Sequence, residues 1–297
     1  MREITLLVII GAIFGVTDPE RIRRIQELVT DVTEAGSGPA AFLPVLQIDL
    51  GARSPWGRFL RLKAELEGVL REEVERTRAS SQGRDDILAR MVKESAAQGD
   101  PLGDTEIVDE LMTLLAAGHE TSTCTLAWAF QWILSDRAVS ARVAEESRAA
   151  SSIAELPYLE AVIYETLRLH PIIPLMPRLA AADTTVGDLA VPKGTFLTAC
   201  AHLVQHDPAT YPEPRAFRPE RFLGKRPNPF EWLPFGGGHR FCLGGAFALY
   251  EMRAILAAFF KYAELSRPDP RPQRFKRRGI TLTPHLGTPV RLERTWA

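Results

Sequence analysis

The residues best placed to do chemistry lie near the C-terminus, in Phe235-Gly236-Gly237-Gly238-His239-Arg240-Phe241-Cys242-Leu243-Gly244-Gly245. Glycines crowded around one cysteine let the backbone approach another group closely. A long helix is predicted from about Gly245, so amide N–H groups and the helix dipole favour a thiolate at Cys242. Arg240, two residues earlier, favours the same charge. A buried structural cysteine and a phosphate-cradling loop are the competing readings. A Walker-type loop needs Gly-Lys-Ser/Thr, which is missing, and Gly236-x-Gly238 runs on to Phe241 rather than to a third glycine. Zinc needs about four ligands, and only His239 and Cys242 are close in sequence. A lone thiolate in a glycine-rich, partly aromatic loop is better suited to the axial position of a haem.

Two further patterns carry chemistry. Ala117-Gly118-His119-Glu120-Thr121-Ser122-Thr123 falls in the middle of a strongly apolar helix. Gly inside a helix costs about 1 kcal/mol relative to Ala, and a buried carboxylate costs more. Ser and Thr hydroxyls divert backbone hydrogen bonds and open a helix locally. A satisfied polar cluster or packing kink is the plain reading. A notch for a small ligand, with a carboxylate and a hydroxyl to relay protons, is the functional one. The third pattern is Glu165-Thr166-Leu167-Arg168, with Glu and Arg three residues apart on one helix face. Alone it reads as an ordinary ion pair of little worth. Its specificity comes from Pro219-Glu220-Arg221-Phe222, which precedes the Cys242 loop.

The elements that must position these groups are mostly helical. Ile4–Val16 is an apolar run read as a buried helix, too short for the roughly 20 residues of a membrane span. Glu3 beside Arg2 weakens a signal-peptide reading. Asp18-Pro19-Glu20 opens a second helix and Gly36-Ser37-Gly38-Pro39 breaks the pattern. Ser54-Pro55-Trp56 starts a long amphipathic stretch, and 85–94 forms a short helix. Pro101-Leu102-Gly103-Asp104 punctuates, with Asp104 as the cap of the apolar helix running to Ile133. Pro157 opens another helix, ending at Leu169-His170-Pro171. Beyond it come short β-favouring pieces around 184–186 and 195–198, an irregular Pro-rich stretch over 207–234, a helix over 245–262, and strand-like residues from 279 to 292. The fold class is therefore mainly α with a small β-sheet part: a single domain over 1–297, helix-rich over 1–170 and β-containing over 171–297.

Composition agrees. With 297 residues and 45% apolar content, the chain has ample material for a buried core. Thirty-six basic against 37 acidic residues, a formal charge of −1, give no reason to expect nucleic acid or a membrane surface as partner. Cys124, Cys200 and Cys242 are widely spaced, which is no disulfide framework and suits a reducing cytoplasm.

Together the motifs resemble those of the cytochrome P-450 superfamily, the haem-thiolate monooxygenases. The family order is complete here: Ala-Gly-x-Glu-Thr, Glu-x-x-Arg, Pro-Glu-Arg-Phe, then Phe-Gly-x-Gly-x-Arg-x-Cys-x-Gly, which includes Gly236 and Gly244. The resemblance implies haem b with Cys242 as its iron ligand, Arg240 and Arg178 (in Met176-Pro177-Arg178) on the propionates, and Phe235 against the ligand side. It implies that Glu120 and Thr121 deliver protons to dioxygen at the iron, with Ala117 and Gly118 leaving room. Glu165, Arg168 and Arg221 would form a buried structural network. Peroxide-using relatives typically lack the acid–alcohol pair, so the resemblance implies O2 and two external electrons.

No nicotinamide- or flavin-binding fingerprint is evident, so those electrons are expected from a ferredoxin-type donor with its reductase. Lys225, Arg226 and Lys276-Arg277-Arg278 are candidates for a basic docking surface, although a solvated charged face is the plainer reading. Residues 172–176, and 280–282 less directly, match pocket-lining segments and suggest an apolar substrate such as a fatty acid, terpenoid or steroid-like molecule. The resemblance also places Met1 at the family's fifth major helix, so the fold is expected to lack its N-terminal part. A mis-assigned start and a true fragment both explain that; a catalytically silent remnant with weak or no haem binding is the alternative function. A helical nucleotide-binding protein is a third reading, with no phosphate loop to support it.

Overall fold

A computed structural model describes all residues except 39, 41, 42, 52, 81, 82, 98–101, 270, 272 and 297. Pro39 and Pro101, both read as breakers, lie outside the described residues. The chain divides into two compact units, Met1–Thr123 and Cys124–Ala297.

The first unit is helical. Helix α1 (Arg2–Phe14) stops at Gly15, whose left-handed φ of 55° returns its N–H to the Gly11 carbonyl. Helix α2 (Pro19–Gly36) starts as its sequence dictates: Pro19 takes the first position and the Asp18 carboxylate accepts the Glu20 N–H at 2.9 Å. Helix α3 (Pro55–Ala79) is capped by the Ser54 hydroxyl, which accepts the Gly57 N–H at 3.1 Å. Helix α4 (Ile87–Ala97) and the first part of helix α5 (Asp104–Ile133) complete the unit. Ile10, Ile13, Ile25, Leu70, Leu88, Ile107 and Leu111, from all five helices, are fully buried. The buried Glu73 carboxylate ties α2 to α3 through Arg21, and also accepts from Arg76 at 2.7 Å.

One expectation is corrected. Asp104 is the first residue of α5 rather than its cap, because Gly103 supplies the carbonyl that accepts the Ile107 N–H at 3.0 Å. The Gly103 N–H donates to Glu106 at 2.8 Å, while the Asp104 carboxylate is held by Arg78 at 2.9 Å.

The second unit holds the rest of α5, then α6 (Arg137–Ala149) and α7 (Pro157–Leu169). Asp136 caps α6, accepting the Ala138 N–H at 2.8 Å. Strand β1 (Leu175–Leu179) pairs antiparallel with β4 (Phe196–Cys200), and β2 (Thr184–Val186) with β3 (Leu189–Val191). The short helix α8 (Ala201–Gln205) follows, then an irregular stretch, then α9 (Gly245–Tyr262). Strand β5 (Ala263–Ser266) pairs with β8 (Arg291–Thr295), and β6 (Phe275–Arg278) with β7 (Thr281–Pro284). Each sheet among the described residues is a two-stranded antiparallel ribbon, so the unit's core is built from helices. Leu159, Ala161 and Val162 of α7 and Leu256 of α9 are completely buried.

Candidate active site

The Cys242 loop is closed by its own backbone: the Cys242 N–H donates to the Phe235 carbonyl at 2.9 Å, and the Gly245 N–H donates to the Cys242 carbonyl at 3.2 Å as α9 begins. Gly236 and Gly238 adopt left-handed φ of 73° and 63°, which a side chain would oppose. A Cβ on Gly236 would also come within 3.3 Å of Met176 Sδ, so β1 seats directly against the loop. Met176 and Arg178 share a face of β1 because strand side chains alternate, so Arg178 stands on the loop side. Phe235 packs edge-on to Trp232 at 5.7 Å and lies 6.4 Å from Phe241.

The loop is open outward. Cys242, Arg240 and Arg178 are exposed, Leu243 is 91% exposed, and Leu175, Leu179 and Phe196 on the β1–β4 ribbon are each more than half exposed. A Cβ added at Gly237, Gly238 or Gly244 would meet nothing within 4 Å. A flat macrocycle bound through a thiolate needs an accessible sulfur, bare backbone beside it, apolar edges and cations for its carboxylates. These residues supply all four, so they fit a haem.

Behind the loop, α7 supplies a buried ionic knot. Glu165 and Arg168 are fully buried and paired twice, at 2.6 and 2.9 Å. All five N–H donors of the guanidinium are used, since Arg168 also reaches the carbonyls of Gln205 and Pro214 at 2.8 Å and of Ala216 at 3.2 Å. Arg221 joins Glu165 at 3.4 Å, and the Arg218 N–H adds a bond of 2.9 Å. The knot connects forward: Gln205 accepts the Leu233 N–H at 2.6 Å, and the Trp232 indole donates to the Tyr164 carbonyl at 3.0 Å. The start of the Cys242 loop is thus anchored to α7.

In the first unit, the α5 turn carries Ala117, Gly118, Glu120 and Thr121. The Thr121 hydroxyl donates to the Ala117 carbonyl at 2.7 Å, the back-bonding that loosens a helix ladder. Ala117 is exposed, and Glu120 and Thr121 are half-buried. The side-chain space at Gly118 is occupied differently from the expectation for it. A Cβ there would lie 2.8 Å from Ile9 Cδ1, so this glycine makes room for α1. Ala117, Glu120 and Thr121 are neighbours at helical spacing. Cys242, Phe235, Gly236, Gly244, Arg240 and Arg178 gather in the second unit with Glu165, Arg168 and Arg221.

Sequence reasoning missed His170. Its ring stacks on Trp128 at 3.6 Å and faces Trp132 at 5.9 Å, and Trp132 stacks on Phe217 at 5.0 Å. Burial, then the neighbouring His206, His202 and Arg168, pull its pKa down to about 3. Trp128 and Trp132, four apart on α5, were the available signal. Within the expected pocket segment, Ile172 is buried with Cys124 and Trp128, and its carbonyl accepts the Leu282 N–H at 3.0 Å.

Comparison with known proteins identifies the family. The family model of cytochrome P450 matches residues 1–289, so the chain belongs to the cytochrome P450 family. It is 36% identical over 292 residues to the Mycobacterium tuberculosis protein named cytochrome P450 137, covering 98% of this chain and 60% of the relative. It is 33% identical over 299 residues to the Mycobacterium bovis protein named cytochrome P450 135B1, covering 99% and 63%. Identity to the Mycobacterium bovis protein named cytochrome P450 138 is 34% over 297 residues, covering 99% and 66%. The chain therefore spans between 60% and 66% of the length of these curated relatives. Among the described residues, no helix is long and apolar enough to cross a membrane.

Proposed function

We propose that this chain is a haem-thiolate monooxygenase converting an apolar R–H to R–OH with O2 and two electrons, acting as one functional domain in the cytoplasm. A ferredoxin-type protein with its reductase would supply the electrons. The carrying observation is the Cys242 loop: an exposed thiol at the start of α9, ringed by bare backbone and open apolar side chains. The family match runs through both units, over residues 1–289, which supports a single functional domain.

When bound, haem b supplies the redox chemistry and the site at which dioxygen is activated. The chain's own residues do the rest. Cys242 holds the iron, with the α9 dipole favouring negative charge at the sulfur. Arg240 and Arg178 bind the propionates, and Phe235, Gly236 and Gly244 shape the ligand side. Ala117 leaves room on α5, and Gly118 serves that turn from its flank by letting α1 close on it. Glu120 and Thr121 hold and pass protons. The Thr121 hydroxyl donates to the Ala117 carbonyl, which fixes the orientation of its oxygen. Apolar residues around 172–176 and 280–282 bias the pocket toward an apolar substrate.

The test is the difference spectrum of the reduced, haem-supplied chain with carbon monoxide. The strongly red-shifted Soret band of a thiolate-ligated complex is expected. A spectrum like that of free or histidine-ligated haem would overturn the assignment. It would favour the second reading, a silent chain that holds haem weakly or not at all. Thr121→Ala should keep haem bound while the yield of product per electron falls several-fold, electrons draining to peroxide; unchanged yield would remove the relay role.

A further inference from the structure

We propose that α1 is the backing strut of the α5 turn that carries Ala117, Glu120 and Thr121, with Thr5 and Ile9 as its positioning residues. This role rests on the monooxygenase reading, but its physical basis lies wholly within the first unit. Each residue turns a helix by about 100°, so His119 and Thr123 lie on roughly the opposite side of α5 from Ala117, Glu120 and Thr121, with Gly118 on the flank between the two faces.

Two contacts seat α1 against that flank and back face. The first is steric: a Cβ at Gly118 would meet Ile9 Cδ1 at 2.8 Å and Cγ1 at 2.9 Å, so the close approach depends on glycine. The second is polar. Thr5 is completely buried, with its hydroxyl oxygen 2.7 Å from the Thr123 hydroxyl and 3.2 Å from the His119 carbonyl. Thr123 itself reaches that carbonyl at 2.8 Å. Two protons are shared among three oxygens, so when either hydroxyl donates to the carbonyl the other can donate to that hydroxyl. Thr5 also lies 3.2 Å from the Arg2 carbonyl and 3.3 Å from that of Met1, both longer than its contact with Thr123.

The consequence concerns the helix ladder. Thr121 diverts the Ala117 carbonyl on the front, and Thr123 and Thr5 engage the His119 carbonyl on the back. Such bonds slightly loosen a turn, while α5 runs as one helix from Asp104 to Ile133. Thr5 and Ile9 hold the loosened turn in one defined geometry, so the positions of Glu120 and Thr121 depend on residues more than a hundred positions away in the chain.

The experiment is site-resolved amide hydrogen exchange on the full chain, in Thr5→Val and Thr5→Ser. Thr5→Val should speed exchange over 119–123 by tenfold or more while α9 exchanges as before. Thr5→Ser, which keeps the hydroxyl, should restore the native rate. Unchanged exchange over 119–123 in Thr5→Val, or identical behaviour of the two variants, overturns the strut.

If Thr5→Val unfolds globally, Gly118→Ala and the double variant Gly118→Ala/Ile9→Ala decide. The double variant should recover slow exchange, and failure to recover overturns the steric contact. In chain loaded with haem, Thr5→Val should lower product per electron threefold or more at unchanged KM; unchanged yield overturns the positioning role. Failure to form the thiolate spectrum would instead sink the monooxygenase reading, and the exchange result would still decide the strut.

Discussion

The Cys242 loop and the Glu165–Arg168 knot belong to the same unit and meet their surroundings in opposite ways. In the knot both side chains are wholly buried, and every guanidinium donor ends on an oxygen of this chain. In the loop the thiol and its neighbours face outward, and glycines leave bare backbone beside them. Both were visible as short motifs, yet one is finished by folding and the other offers a surface. The difference teaches that a motif names the chemical groups, while burial decides whether their partner is the chain itself or something it binds. The knot is also the loop's foundation, because Gln205 links it to Leu233 just ahead of Phe235.

The largest way to break this comparison is Arg168→Leu. It strips three carbonyls of their donors and leaves the buried Glu165 with only the Arg218 N–H and Arg221 beside it, at a cost of about 3–5 kcal/mol. Urea unfolding should show that loss or an unrecoverable fold; a loss below about 1 kcal/mol would make the knot no foundation at all. Next comes acid. The fold holds His170 neutral down to a pKa of about 3, whereas the unfolded chain protonates it below the ordinary value of 6.5. Its contribution is therefore fully present above pH 6.5 and lost as pH falls toward 3. At pH 4.5 the loss is on the order of 3 kcal/mol. Thermal melts of His170→Phe should fall less between pH 7 and 4.5 than those of the native chain, and equal slopes would remove His170 from the account.

The two smallest effects sharpen the other side. Cys242→Ser should change stability by no more than about 0.5 kcal/mol, as an exposed surface substitution does, while abolishing the thiolate spectrum. A loss of several kcal/mol would show a thiol packed as core. Gly244→Ala should be nearly silent in denaturation, since its φ of −82° suits alanine and a Cβ meets nothing. It should nevertheless weaken haem binding, measured by titration, and equal affinity would clear Gly244 of any part in the site.

Much of the frame was legible locally. Asp18 and Ser54 cap their helices because a short oxygen-bearing side chain in extended backbone satisfies N–H groups that nothing else reaches. The apolar run Ile4–Val16 reads as a buried helix from apolarity alone, and α1 is a largely buried helix that ends at Phe14. Asp104 was misjudged because Gly103 takes the cap position with Glu106 accepting its N–H, and only distances distinguish that from a cap at Asp104. The Asp136 cap of α6 passed unnoticed in a stretch read simply as helical.

For the site, sequence alone determined the groups and their order: a cysteine among glycines, an acid beside an alcohol, and a carboxylate three residues from an arginine. These are local facts, because side-chain chemistry and helical spacing do not depend on what lies far along the chain. Tertiary structure alone decided that Gly118 yields to Ile9, that Thr5 reaches Thr123, that His170 stacks on Trp128, and that Arg168 spends its donors on residues 205–216. Each of those pairings joins residues between about 37 and 118 positions apart. No local pattern encodes such a distance, and the buried core that brings the partners together exists only once the helices have packed.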